Sequence, residues 1–190
     1  MHFPVKTIVG ILWGAAGTVW FVGALVAKRT ARAQSRASRL LHVALGALAF
    51  LVGFTKYFNF DPLTRTFVPA SPAFTYAGLL LTLAGISFAI WARFYLGGNW
   101  SGTVTVKENH SLVRRGPYAI VRHPIYSGLL LALFGTALVW REARVLAATG
   151  LLFVMYSLKI RIEEKFMIEQ FGDAYQEYRR QVKALIPFVY

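Results

Sequence analysis

Apolar residues along this chain are grouped into blocks, and short polar segments separate the blocks. The blocks are of the length, roughly 20 residues, that crosses the hydrocarbon core of a bilayer as a helix. Five spans are predicted, at 4–27, about 40–58, 73–96, 124–140 and 145 to about 160. The remainder, 161–190, is polar with a helical pattern. The pattern therefore predicts an all-α integral membrane protein with about five transmembrane helices.

Composition and charge agree with a membrane location. Hydrophobic residues make up 56% of the chain, its mean hydropathy is +0.50, and its formal net charge is +13. Most lysines and arginines fall in the connectors on one side of the predicted spans, which places that side in the cytosol and the N-terminus outside. A nucleic-acid partner is not expected, because it would need a soluble basic face. The absence of cysteine excludes disulfides and thiolate metal sites.

The longest mainly polar segment, 107–128, leads directly into the fourth span. It contains His110 and the triplet Arg122, His123 and Pro124. Ionisable groups at the edge of a membrane span are costly and indicate a site. Pro124 suits the first position of a helix. The free N–H groups of that helix start would attract an anionic group such as a carboxylate.

Two tyrosines of this segment can extend the candidate site. Tyr118 and Tyr126 can offer aromatic faces to a flat ring or a cation. The alternative is a re-entrant turn whose tyrosines belong to an interfacial belt.

Charged residues near the end of the fifth span form a second candidate wall. Lys159 and Glu163 share a helix face, whereas Arg161 and Glu164 are expected to point elsewhere. The fourth and fifth spans are joined by a tight turn, so the Lys159–Glu163 face can turn toward His123. One interpretation is an exposed ion pair. In the other, Glu163 binds an amine or cationic group, and Lys159 or Arg161 holds an anionic acceptor.

Three further features have two interpretations each. Arg93 either snorkels to the interface or faces a cavity shared with the polar segment. The lone His42 is interpreted as structural or interfacial rather than as a ligand. The segments 76–85 and 126–135 are alike, and we interpret them as two helices that use small residues for packing, with duplication as the alternative.

Several common chemistries lack their sequence signatures. The chain has no HExxH motif, no histidine cluster, no Walker loop and no serine nucleophile elbow. A metal is therefore not expected.

The joint order of motifs resembles a known family. It runs HSLV at 110–113, GPY at 116–118, VRHPIYSG at 121–128, EE at 163–164, then FG, two tyrosines and a terminal Pro-Phe. This order resembles the isoprenylcysteine carboxyl methyltransferase family of integral membrane enzymes, and the related phospholipid methyltransferases share the broad pattern. The resemblance covers roughly 91–188.

The resemblance implies S-adenosylmethionine as methyl donor and S-adenosylhomocysteine as product. The implied pocket is cytosolic and is formed by the 97–123 linker, helices 4–5 and the C-terminal helix. The implied cofactor-binding residues are His110, Ser111, Leu112, Val113, Gly116, Tyr118, His123, Pro124, Ile125, Tyr126 and Glu163. The family's acceptor-binding arginine falls at Lys159, with Arg161 as the alternative, so the catalytic candidates are Glu163, Lys159 and Arg161.

The resulting hypothesis is a single domain over 1–190, with 1–72 as scaffold and 73–190 as the catalytic part. It would transfer methyl groups to a lipophilic acceptor from the bilayer, of the prenylcysteine carboxylate type. The alternatives are a phospholipid amine or small-thiol methyltransferase, and a non-enzymatic small membrane transporter or assembly protein.

Overall fold

The computed structural model describes residues 4–25, 30–55, 57–58, 60–97, 100, 105–107 and 111–189. Its helices are α1 (Val5–Leu25), α2 (Arg36–Phe54), α3 (Pro72–Leu96), α4 (Pro124–Trp140), α5 (Ala143–Phe171) and α6 (Asp173–Gln181). A 3-10 turn over Gly116–Ala119 precedes α4. The predicted helical membrane fold is confirmed. The sequence did not predict two short strands, β1 (Thr30–Ala33) and β2 (Thr105–Lys107), which pair antiparallel.

Helix ends follow local signals more closely than apolar block ends. The fourth predicted span matches α4 at both ends, and α3 begins one residue before the prediction. The second begins at Arg36 rather than at 40, because the Ser35 hydroxyl accepts a hydrogen bond from Ser38 N–H and caps the helix there. It also ends earlier than predicted, at Phe54.

The fifth span and the first part of the polar tail form one continuous helix. α5 has 29 residues and runs past the predicted end near 160 to Phe171. At 1.5 Å per residue it is about 43 Å long, which exceeds the hydrocarbon core of a bilayer. Gly172, at φ +53°, ends α5 and permits the turn into α6. The candidate residues of α5 therefore sit on a rigid helical extension.

Four of the described helices, α1, α2, α3 and α5, are long and apolar enough to cross a membrane. α4 is also apolar but has 17 residues. That the fourth predicted span, α4, crosses the membrane therefore stays a prediction.

The main helix contacts do not follow chain order. α3 packs on both α1 and α4, while α4 packs on α5 and α5 packs on α2. The order across the bundle is thus α1, α3, α4, α5, α2. The strand pair joins the connector before α2 to the linker before α4, so these segments lie at the same end of the bundle.

Glycines bring the backbones of α3 and α4 into direct contact. A Cβ on Gly85 would lie 2.5 Å from the Gly128 carbonyl oxygen, and one on Gly135 would lie 2.6 Å from the Gly78 carbonyl oxygen. These glycines belong to the two similar segments at 76–85 and 126–135. The small residues that the two segments share therefore pack the helices together, as interpreted from the sequence.

Arg93 joins the ends of α1 and α3. Its side chain donates to the carbonyl oxygens of Gly23 at 2.6 Å and Gly97 at 2.7 Å, and its guanidinium lies 4.4 Å from the Trp100 ring centroid. Arg93 is only 4% exposed, so the snorkelling interpretation is wrong. The two helix-end carbonyls accept from its Nη1 and Nη2 groups and offset part of the cost of burying the charge, whereas Nε has no hydrogen-bond partner among the described residues.

Candidate functional site

Two neighbouring glutamates of α5 reach the residues that begin α4. The Tyr126 hydroxyl donates to Glu163 Oε1 at 2.6 Å. His123 Nδ1 lies 3.3 Å from Glu163 Oε2, and its Nε2 lies 3.4 Å from Glu164 Oε1, the second contact lacking hydrogen-bond geometry. The Lys159–Glu163 part of α5 was predicted to turn toward His123. In the structure Glu163 does lie beside His123, which is placed between two carboxylates.

The histidine is positioned to carry charge. Burial, the largest single effect, works to lower the pKa of His123. The interactions with Glu163 and Glu164 outweigh burial and raise this pKa above its usual value. Below this raised pKa the site combines an imidazolium with two carboxylates, which compensates part of their negative charge.

Aromatic rings and a lysine border Glu163. The Tyr126 ring stacks on Tyr156 at 4.5 Å between centroids and lies nearly parallel to His123 at 5.8 Å. Lys159 Nζ lies 5.3 Å from the Tyr126 centroid, and this lysine is buried. The arrangement places stacked aromatic rings beside groups of opposite charge, surroundings that suit a ligand that is both cationic and heterocyclic.

Glu164 belongs to this site, contrary to the sequence expectation that it points elsewhere. Arg122 donates to Glu164 Oε1 from Nη2 at 2.5 Å and from Nε at 2.8 Å, and Arg179 Nε lies 3.1 Å from Glu164 Oε2. The side chains of adjacent helical residues point about 100° apart. Both glutamates are nevertheless reached, because Arg122 binds Glu164 and His123 lies near both. The signal was present in the sequence as two adjacent cationic or ionisable residues facing two adjacent acids.

The C-terminal tail covers the start of α4. The backbone N–H groups of Arg122 and His123 donate to the carbonyls of Lys183 at 2.8 Å and Ala184 at 2.9 Å. The Ser127 hydroxyl donates to the Leu185 carbonyl at 2.6 Å. The amides of Arg122 and His123, just before the helix, therefore already have acceptors, and anion binding by the first turn of the helix stays a prediction.

The linker before α4 contributes mainly apolar wall. Tyr118 is buried with Ala92 and Ile125, and Val113 and Tyr126 pack against this cluster. Burial raises the pKa of Tyr118, so its hydroxyl stays protonated. This cluster supports one side of the Tyr126 ring.

The remaining sequence candidates are dispersed. Gly116 adopts φ +60° and faces the Tyr95 ring where a Cβ would stand, so its role is conformational. Pro124 is buried at the helix start, while Ser111 is exposed and Leu112 is half-buried. Arg161 is exposed and lines a cleft with Lys165 and Glu169, and Glu164 and Arg179 also border this cleft. His110 lies outside the described residues.

The fold and the site define a membrane-embedded helical protein with a buried carboxylate, imidazole and aromatic cluster at one helix junction. A family model described as phospholipid methyltransferase matches residues 73–174. That is more than half of the chain, which therefore belongs to this family.

Curated relatives and a solved structure extend the comparison. The chain is 34% identical over 116 residues to the cobalt-zinc-cadmium resistance protein CzcN of Cupriavidus metallidurans, covering 57% of this chain and 50% of that one. It is 36% identical over 101 residues to the protein-S-isoprenylcysteine O-methyltransferase of Schizosaccharomyces pombe, covering 52% and 43%. The chain spans about half the length of these relatives.

The structural match is to the eukaryotic intramembrane Ras methyltransferase ICMT (isoprenylcysteine carboxyl methyltransferase). The TM-score is 0.59 at 24% identity, with 82% of this chain and 54% of that chain covered. At this identity the match shows the fold. The resemblance identified in the sequence is confirmed.

Proposed function

We propose that this protein transfers a methyl group from S-adenosylmethionine to the carboxylate of a lipophilic acceptor that enters from the bilayer. The observation that carries the proposal is Glu163, held by Tyr126 and His123 beside stacked rings at the buried α4–α5 junction. The family match and the methyltransferase names of relatives support the reaction class.

The side chains at the junction fit a sulfonium nucleotide. Its cationic groups would be held by Glu163 and the rings of Tyr126 and Tyr156. His123 would orient the Glu163 carboxylate. Further candidates for the same pocket are His110, Ser111, Leu112, Val113, Gly116, Tyr118, Pro124 and Ile125. When bound, this donor supplies a methyl group on positively charged sulfur, and its transfer forms an O–C bond as the S–C bond breaks.

The chain's own task is to align the two reactants and exclude water. A carboxylate acceptor is already anionic at neutral pH, so no residue needs to remove a proton. Lys159 is the cation beside Tyr126, and we propose that it binds the carboxylate of the acceptor. Exposed Arg161, on a different face of α5, is the weaker candidate. The buried α4–α5 junction supplies the dry environment.

The rest of the chain arranges this site in the membrane. We propose that α4 also crosses the bilayer, that 1–72 is mainly scaffold, and that 73–190 is catalytic. The basic connectors on the site's side favour a cytosolic site and C-terminus with the N-terminus outside.

Ligand-induced stabilisation tests the donor site. At about 100 times its Kd, S-adenosylhomocysteine should stabilise the purified protein by about 2.7 kcal/mol, roughly 5–10 °C in Tm. The shift should disappear in Glu163→Gln and His123→Ala and persist in Glu169→Gln, a control on the exposed part of the same helix. No shift in the parent protein at saturating ligand would favour a non-enzymatic protein.

Product chemistry tests the acceptor class. After incubation with methyl-labelled donor and membrane lipids, a carboxyl methyl ester releases its label in mild alkali, whereas N-methyl and S-methyl products retain it. Alkali-stable label would replace the carboxylate acceptor with an amine or a thiol.

A further inference from the structure

A stripe of polar side chains lies on the inward face at the start of α2. Gln34 lies two residues before the helix begins. Ser38 and His42 are four residues apart and lie on the same face of α2. Gln34 Oε1, Ser38 Oγ and both ring nitrogens of His42 are buried without a hydrogen-bond partner among the described residues. His42 is only 8% exposed. Buried polar atoms normally have partners, so this stripe calls for a polar ligand.

The packing of α2 on α5 fixes what the stripe faces. A Cβ on Gly53 would lie 2.7 Å from Ala148 Cβ, and one on Gly46 would lie 3.7 Å from Met155 Sδ. Equal steps along the two helices run in opposite directions, so the pair is antiparallel. Moving toward the start of α2 therefore means moving toward the end of α5.

One turn beyond these contacts, the register places His42 opposite Lys159, and the next turn places Ser38 opposite Glu163. Lys159 and Glu163 are also the charged groups that act on His42. On α5, Lys159 projects between the face that contacts α2 and the face that contacts Tyr126. The α2 stripe and the α4–α5 junction thus border the same polar region.

We infer that His42 and Lys159 together bind the carboxylate of the methyl acceptor, with Ser38 lining the same site. The inference rests on the proposed function and assigns it an acceptor-binding residue. The lysine ammonium is a point charge without the fork geometry of arginine. An imidazole N–H from the facing helix supplies the second directed donor that a two-oxygen anion can accept.

This assignment changes two expectations from the sequence. His42 is an acceptor-binding residue rather than a structural histidine. α2 contributes to substrate selection rather than serving only as scaffold.

The test compares acceptor recognition in matched variants of the full chain. N-acetyl-S-farnesylcysteine serves as carboxylate probe, and its carboxamide serves as the uncharged analogue. His42→Leu should raise the KM for the carboxylate probe about 10- to 100-fold, as expected for a lost hydrogen bond to a charged group. It should leave the donor KM unchanged. His42→Gln, which retains an N–H donor, should recover part of this loss, and Leu41→Ala, on the exposed face, should stay close to the parent protein.

Thermal shifts provide a readout that does not depend on turnover. The carboxylate probe should stabilise the parent protein more than the carboxamide does, and His42→Leu should abolish this difference. His42→Phe keeps a ring of similar size and reports the same loss if the leucine variant does not fold.

The outcomes separate the two proposals. An unchanged probe KM in His42→Leu, or equal stabilisation of the parent by both probes while S-adenosylhomocysteine still binds, overturns this inference alone. Failure of the parent to bind S-adenosylhomocysteine overturns the proposed function.

Discussion

A single methyl group at Gly128 should separate the two central helices of the bundle. In Gly128→Ala, the new Cβ would lie 2.5 Å from the Gly85 carbonyl oxygen, 2.8 Å from the Ala89 nitrogen and 2.9 Å from the Ala89 Cβ. None of these atoms belongs to a side chain that can rotate away. An ordinary contact begins at about 3.4 Å, so the helices must move apart by about 0.9 Å or distort locally.

The magnitude follows from comparison with Gly150→Ala on α5, where a Cβ would meet no atom within 4 Å. Both substitutions gain about 1 kcal/mol of helix propensity. Only Gly128→Ala also incurs an overpacking cost, typically about 1–3 kcal/mol. The two variants should therefore differ by that cost, or roughly 2–12 °C in Tm for a chain of this size.

The assay is thermal unfolding of both variants in the same detergent, followed by tryptophan fluorescence. Gly128 follows Tyr126 by two residues and the N-cap residue His123 by five, so Gly128→Ala should also weaken stabilisation by S-adenosylhomocysteine. Equal Tm values for the two variants would refute the backbone contact between α3 and α4.

Three further predictions test buried charges. Arg93→Lys should lower the free energy of unfolding by about 1–3 kcal/mol, because lysine cannot reach both helix-end carbonyls; an unchanged Tm contradicts that role. Arg122→Gln leaves Glu164 partly uncompensated and should cost about 3–5 kcal/mol, whereas Arg65→Gln, in an exposed pair, should cost less than about 1 kcal/mol. The raised pKa of His123 means that its charged form stabilises the fold fully below about pH 6.5 and loses this effect as pH rises through the raised pKa. The Tm should fall over that range, and this fall should be smaller in His123→Gln.

The sequence predicted elements best where a local signal marked their ends. α4 was placed correctly because Pro124 begins it and a two-residue turn follows Trp140. The predicted boundary near residue 160 marks a decrease in apolarity, and the helical hydrogen bonds of α5 continue through it into the predicted helical tail as far as Phe171. The strands at 30–33 and 105–107 were missed because their pairing is short and non-local.

The candidate site was also predicted only where a local sequence signal marks its residues. His123, Tyr126 and Glu163 were recognised because motifs mark them, and the structure brings them together. Glu164 was misjudged because a single-helix projection ignores that a neighbouring segment can reach two adjacent positions. The role proposed for His42 had no sequence signal, since it depends on which helix His42 faces, and α2 packs on an element far along the chain.

The position of α2 at the far edge of the bundle has a consequence for biogenesis. Its packing partner α5 emerges from the ribosome only after residues 55–142 have been synthesised. Until then the buried stripe of Gln34, Ser38 and His42 has no helix to face, so an insertion intermediate must hold these polar groups in lipid, water or an insertase. Conditions that slow synthesis between α2 and α5 should therefore expose this intermediate to degradation.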